Sequence, residues 1–197
     1  MSVSNVSMPG GVAPQRRPNA LWLLVPLILL ALVAGALGAF ASQTIKPIEK
    51  PAYFQLFFSS VIVMKVWLTT AAVILAVLQV ITATRIYEKL HFPPEGRFYN
   101  FMHRTTGFLA IGLSLPVAYH CVFLLGYASI SDTRTLIHAI LGTFVYGVFV
   151  AKVFVVVFPS RFGGWVLPIL GSLLFTILLG LWVTSSLWFF SNAGVFL

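Results

Sequence analysis

Five long apolar runs follow one another along the chain, at about 20–42, 54–84, 105–127, 135–158 and 165–190. Each run is close to, or longer than, the roughly 20 residues that a helix needs to cross about 30 Å of hydrocarbon. The chain shows no alternation of apolar and polar residues with period two, which a membrane β-barrel would require. The pattern therefore predicts an all-α integral membrane bundle of five transmembrane helices, formed by residues 20–197.

The first nineteen residues, MSVSNVSMPGGVAPQRRPN, are rich in Ser, Gly, Pro and Asn. They lack apolar periodicity, so we expect residues 1–19 to form a flexible cytoplasmic tail. The arginine pair, the apolar run and the small residues near position 40 resemble a signal peptide with its cleavage site. The apolar core at 20–38 is longer than the about 7–15 residues of such signals, which favours a retained first helix.

The amino-acid composition excludes several classes of protein and of site. Hydrophobic residues make up 59% of the chain and charged residues 8%, and the mean hydropathy of +1.00 excludes a soluble domain. The net charge of +8 does not indicate nucleic acid, because the basic residues form no patch interleaved with aromatics. The single cysteine, Cys121, excludes an intrachain disulfide and a cysteine-based zinc site.

Basic residues between the runs predict the orientation, because they accumulate in cytoplasmic loops. Five crossings put the two termini on opposite sides of the membrane. One side carries seven basic residues: Arg16, Arg17, Arg85, Lys89, Arg97, Arg104 and Arg161. The other side carries three: Lys46, Lys50 and Arg134. We therefore expect a multi-pass protein of a bacterial-type cell (inner) membrane with a cytoplasmic N-terminus.

Two histidines, His120 and His138, lie inside apolar runs, where an imidazole is costly and normally has a partner. His120 lies about 9 Å before the end of the third run and His138 about 6 Å into the fourth, so their depths match. A short loop joins these runs, and we expect the two helices to pack as antiparallel neighbours. The pair then suits the two axial ligands of one haem. Pro116 and Gly142 lie one turn away on the same faces and leave room for a flat macrocycle.

Two motifs around these positions, HRTTG at 103–107 and AYHCV at 118–122, resemble small transmembrane cytochromes b. That group includes ferric-reductase-like membrane domains and the membrane anchors of succinate dehydrogenase, and the likeness covers about 40 residues. The resemblance implies a membrane protein that binds haem b, but we do not carry a quinone site over from these motifs. The chain also resembles a family of five-helix membrane proteins found in actinobacteria, which implies no activity.

Other basic and histidine side chains extend the haem hypothesis. Arg134 lies one turn before His138, and its guanidinium fork matches a haem propionate. Lys65 lies within the second run without an acidic partner, which makes it a second propionate candidate. A second haem held by His103 and His91 is an alternative to an interfacial His103 that forms only hydrogen bonds.

The sequence therefore favours a haem b-binding electron-transfer subunit of a respiratory-type complex, with protein subunits and quinone as candidate partners. The acidic residues, Glu49, Glu88, Glu95 and Asp132, all lie in connections or at their edges, which argues against a proton-coupled transporter. The sequence also contains no phosphate-binding loop, nucleophile elbow or metalloprotease motif. The alternative is a cofactor-free accessory subunit, in which the histidines would bond to neighbouring carbonyls or hydroxyls, near Tyr119, Tyr146 or Ser114, and hold the helices together.

Overall fold

The computed structural model describes residues 20–43, 54–90, 97–126 and 132–193, and these residues form helices and short connections without strands. The described helices are α1 (Leu24–Gln43, entered by a 3₁₀ turn at Ala20–Leu23), α2 (Val61–Ile86), α3 (Arg97–Tyr119), α4 (Thr133–Val157), α5 (Val166–Trp182) and α6 (Trp188–Ala193). A π-helical segment, His120–Leu125, extends α3, and a second one, Val183–Leu187, joins α5 to α6. A 3₁₀ turn at Pro159–Arg161 follows α4.

Five of the resulting helical spans are long and apolar enough to cross a membrane. This confirms the predicted all-α class and describes a multi-pass membrane protein. The predicted tail at 1–19 lies outside the described residues.

The spans pack as a closed ring around a central space. In this ring α3 packs against α2, α2 against α5, α5 against α4 and α4 against α1, while α1 also contacts the π-helical segment after α3. The main buried cluster comes from α2, α4 and α5 and contains Val73, Ala76, Val145, Val148, Ile177 and Leu178. The expected close packing of the third and fourth spans is wrong, because α3 packs mainly on α2 and a cavity lies between α3 and α4.

Helix bounds differ from the apolar runs at two places. The second span begins as a helix at Val61, where the Ser60 hydroxyl accepts the Val63 N–H at 3.2 Å, and not at 54. Lys65 is consequently in the second turn of α2, about 6 Å from its start. The third span begins at Arg97, eight residues before its apolar run, so His103 lies inside a helix.

Polar side chains join α2 to α3 at the end where α2 finishes. The Gln79 amide donates to the carbonyl of His103 and to the Thr106 hydroxyl. The Thr82 hydroxyl donates to the Leu78 carbonyl at 2.8 Å, and Nδ1 of His103 lies 2.9 Å from the same hydroxyl. His103 thus forms a contact between helices. His91, its proposed partner for a second haem, lies outside the described residues.

Gly147 sets the distance between α1 and α4. A methyl group added at Gly147 would lie 2.6 Å from the backbone oxygen of Leu30. Because that neighbour is backbone, a side chain at this position would force the two helices apart.

Gly147→Ala should therefore destabilise the bundle by about 1–3 kcal/mol, the usual cost of overpacking. Thermal unfolding of the purified protein in detergent measures the effect as a lower midpoint. Gly112→Ala is the matched control, because a methyl group at Gly112 meets no atom within 4 Å. Equal midpoints for the two variants would contradict the close α1–α4 contact.

Candidate ligand-binding cavity

A cavity of about 440 Å³ lies inside the ring of helices and is lined by all five spans. Lys65, Arg134 and His138 line it at one end of the bundle, where α2 and α4 begin; we call this the Asp132 end. The cavity reaches Tyr146, about 18 Å farther along α4 than Arg134. Its remaining walls are mostly apolar, and its volume lies in the range of small-molecule pockets.

Both π-helical segments contribute to the cavity wall. Cys121, Val122 and Leu125 line it from the segment after α3, and Thr184 and Ser185 from the segment between α5 and α6. A π-helix is wider than an α-helix and often occurs at functional sites. The irregular parts of two spans therefore face the same space.

Four of the five residues predicted to bind a cofactor line this cavity: Lys65, Arg134, His138 and Gly142. A methyl group added at Gly142 would meet only the end of the Leu181 side chain, at 3.9 Å. A methyl group at this position would therefore make an ordinary van der Waals contact, and the role of Gly142 beside a macrocycle stays a prediction. His120, the fifth residue, is not among the lining residues.

His120 and His138 lie at equal distances from the ends of their spans, but His120 has another orientation than expected. It lies five residues before Leu125, and His138 lies five residues after Thr133. The Nδ1–H of His120 donates to the Pro116 carbonyl at 2.8 Å, and its ring packs edge-on against Phe54 with centroids 4.6 Å apart. Only 1% of His120 is exposed, and its Nε2 is buried without a hydrogen-bond partner among the described residues.

The His138 ring is held by the fifth span. Its Nδ1 lies 2.9 Å from the hydroxyl of Thr184. Thr184 was missed by the sequence reasoning, although the run Thr184-Ser185-Ser186 is a polar interruption in a span that is otherwise apolar. That interruption is the signal that could have identified it.

Arg134 is already engaged by three neighbours. Its Nη1 donates to the Thr184 carbonyl at 2.7 Å, and its Nη2 lies 3.4 Å from a carboxylate oxygen of Asp132. Its guanidinium carbon lies 4.1 Å from the centre of the Trp188 ring. Both terminal nitrogens of the fork thus have partners before any ligand is considered.

Lys65 differs from Arg134 because no described residue offers it a hydrogen bond or an ion pair. Two acidic side chains belong to the described ranges: Asp132, which pairs with Arg134, and Glu88, which follows the opposite end of α2. Lys65 is half-buried beside the cavity. An unpaired cation in this position favours a ligand with an acidic group.

Asp132 caps α4. Its carboxylate accepts the Thr135 hydroxyl at 2.6 Å and the backbone N–H groups of Arg134 and Thr135 at 3.2 and 3.3 Å. The Thr135 hydroxyl contributes most to lowering the pKa of Asp132, with smaller contributions from those amides and from the Arg134 charge. The charged carboxylate is therefore favoured at the start of the helix.

A family model described as "Family of unknown function (DUF6529)" matches residues 23–197 of the chain. No curated protein and no solved structure matches it.

Asp132→Asn should reduce stability at neutral pH and lose its effect in acid. Because folding lowers the pKa of Asp132, the stabilisation is present above the ordinary pKa of 3.8 and disappears as pH falls through the lowered value. Thermal midpoints of the native protein and the variant, measured from pH 7 downward, should converge in acid, from about pH 5. A gap that stays constant down to pH 2 would contradict the role of the charged carboxylate.

Proposed function

Because the chain belongs to the DUF6529 family, whose description names no activity, we propose its function from the cavity itself: it is a membrane electron-transfer subunit that binds haem b, with His138 as an axial ligand. The observation that carries this proposal is that His138 and the unpaired Lys65 line one cavity whose walls are otherwise mostly apolar. Haem b has an apolar macrocycle, two carboxylates and an iron that accepts an imidazole nitrogen.

The chemistry of the lining residues fits this group. A histidine that binds a metal usually donates its other ring N–H to an oxygen of the protein, which fixes the ring. The 2.9 Å contact between Nδ1 of His138 and the Thr184 hydroxyl fits this arrangement, in which Nε2 is left for a ligand. Lys65 supplies the positive charge for a propionate, and the apolar walls keep water from the macrocycle.

The roles expected of Arg134 and His120 change in this proposal. Arg134 binds the Thr184 carbonyl and Asp132, so Lys65 is the better partner for a propionate. His120 also donates Nδ1–H to a protein oxygen and has an Nε2 without a partner among the described residues, but it does not line the cavity. The pairing of His120 with His138 stays a prediction.

The bound haem would supply a one-electron couple, and the chain would set its potential through burial and the charge of Lys65. The electron donor or acceptor would be quinone or a protein subunit of a respiratory-type complex. Basic residues support an orientation in a bacterial inner membrane: Arg85, Lys89, Arg97, Arg104 and Arg161 lie away from the Asp132 end. The Asp132 end would then face outward and the N-terminus the cytoplasm.

A cofactor-free accessory subunit is the second candidate, and one observation favours it. Every histidine in the described ranges already has a hydrogen-bonded Nδ1: His103 with Thr82, His120 with Pro116 and His138 with Thr184. Such contacts are sufficient to hold helices together without a cofactor.

A visible spectrum of the protein purified from membranes tests the first candidate. We expect a Soret band and, on reduction, the α-band of a b-type haem. His138→Ala should remove most of the haem, because it deletes the ligand that lines the cavity. His103→Ala is the matched control and should keep the haem, because His103 contacts α2 and does not line the cavity.

Three results decide between the candidates. Full haem content in His138→Ala would refute the ligand assignment, and absence of any Soret band from native protein would favour the accessory subunit. Loss of haem in His120→Ala with an unchanged thermal midpoint would support the paired ligation predicted from the sequence.

Lys65→Gln should weaken haem retention by about tenfold or more, because it removes a charge-assisted contact with a propionate. Transfer of haem to excess apomyoglobin measures the retention. Lys152→Gln is the control, since Lys152 also lies within a span but does not line the cavity. Equal transfer rates in the native protein and in Lys65→Gln would contradict the assignment of Lys65.

A further inference from the structure

Thr184 makes two contacts with α4 at the Asp132 end of the cavity. Its backbone carbonyl accepts Nη1–H of Arg134 at 2.7 Å, and its hydroxyl oxygen lies 2.9 Å from Nδ1 of His138. The two α4 residues are one turn apart, so one residue of the fifth span holds both of them.

The surroundings of the Thr184 hydroxyl favour one direction for its contact with His138. The Thr184 hydroxyl lies 2.7 Å from the Gly180 carbonyl and 3.2 Å from the Leu181 carbonyl of its own span. A hydroxyl has one proton, and a carbonyl can only accept. The two carbonyls are placed to take that proton, which favours the hydroxyl oxygen as the acceptor of an N–H from His138. In this arrangement the proton of the neutral ring is on Nδ1, and the lone pair is on Nε2.

Arg134 in turn holds the segment that carries Thr184. The Thr184 carbonyl would bond to the Trp188 N–H in an α-helix, but that N–H bonds to the Ser185 carbonyl. Arg134 donates to the Thr184 carbonyl and also stacks on the Trp188 ring at 4.1 Å. The guanidinium thus contacts the π-helical segment Val183–Leu187 and the first residue of α6.

We propose that Thr184 is a positioning residue that fixes His138 with its proton on Nδ1 and Nε2 available to a ligand, and that Arg134 holds Thr184 in place. The role of Nε2 as the ligating nitrogen rests on the proposed haem function. The tautomer and its dependence on Thr184 do not rest on that function. Arg134 accordingly acts on the cofactor through the fifth span and not as the main partner of a propionate.

Nitrogen NMR of the full chain with ¹⁵N-labelled histidine tests this arrangement directly. The haem-free protein in lipid nanodiscs is used, because iron bound to Nε2 would itself keep the proton on Nδ1, and the His138 signals are assigned by their loss in His138→Gln. We expect Nδ1 protonated in the native protein. Thr184→Val should abolish this single tautomer and give a mixture, whereas Thr184→Ser should restore it because serine keeps the hydroxyl.

Ser185→Ala is the matched control. Ser185 also lines the cavity, but its hydroxyl donates to the Leu181 carbonyl at 2.6 Å and has no contact with His138. This variant should keep the native tautomer, and Arg134→Gln should shift it toward the mixture seen in Thr184→Val.

The proposal is overturned if native His138 carries its proton on Nε2, a result that does not depend on the folding of any variant. An unchanged tautomer in folded Thr184→Val would also overturn it. Failure of the haem proposal is distinguishable, because native protein without a Soret band can still show the Nδ1 tautomer and its loss in Thr184→Val. Where haem is present, Thr184→Val should also shift the Soret band, and Ser185→Ala should not.

Discussion

Hydrocarbon offers no hydrogen bonds, so polar groups within the five spans must find partners inside the bundle. Trp182 meets this requirement by donating to the Thr70 hydroxyl at 3.0 Å, and Ser186 by donating to the Val66 carbonyl at 3.1 Å, which ties the fifth span to α2. Tyr146 donates to the Ser114 hydroxyl at 2.9 Å and bridges α4 and α3 across the cavity. These contacts restrict how α2, α3, α4 and the fifth span rotate about their axes. The rotation decides in turn which side chains face the cavity.

The hydropathy pattern predicted the number of spans and their class, because bilayer thickness imposes a length on every apolar run. It predicted helix ends less well. Hydropathy reports where hydrocarbon is contacted, whereas a helix continues as long as its backbone bonds and caps allow. The polar residues at 97–104 thus belong to α3, and the apolar residues at 54–60 precede α2. Because of this second difference, Lys65 lies only four residues after the first residue of α2.

The distances of His120 and His138 from the nearest ends of their spans could be predicted from the sequence, because they depend only on counting residues. Their relative orientation could not. It depends on which helices are neighbours, and α3 packs mainly against α2. It also depends on the π-helical segment that begins at His120, since a wider turn changes which residues share a face. No composition signal marks such a segment. In the sequence, Thr184 is marked only by a polar interruption of an apolar span. Its contact with His138 could be recognised only from the fold.

Charge at the Asp132 end is divided unequally between the two helices that begin there. The start of α4 has an acidic cap, Asp132, which offsets both the helix dipole and Arg134. The start of α2 has a neutral cap, Ser60, followed by Lys65. The positive end of the helix dipole and the charge of Lys65 therefore add. In surroundings of low dielectric constant this difference acts over several ångströms. An acidic group in the cavity is therefore drawn toward α2, while the imidazole of His138 lies on α4. The cavity thus favours one orientation of a ligand that carries an acid at one edge and accepts a ring nitrogen elsewhere.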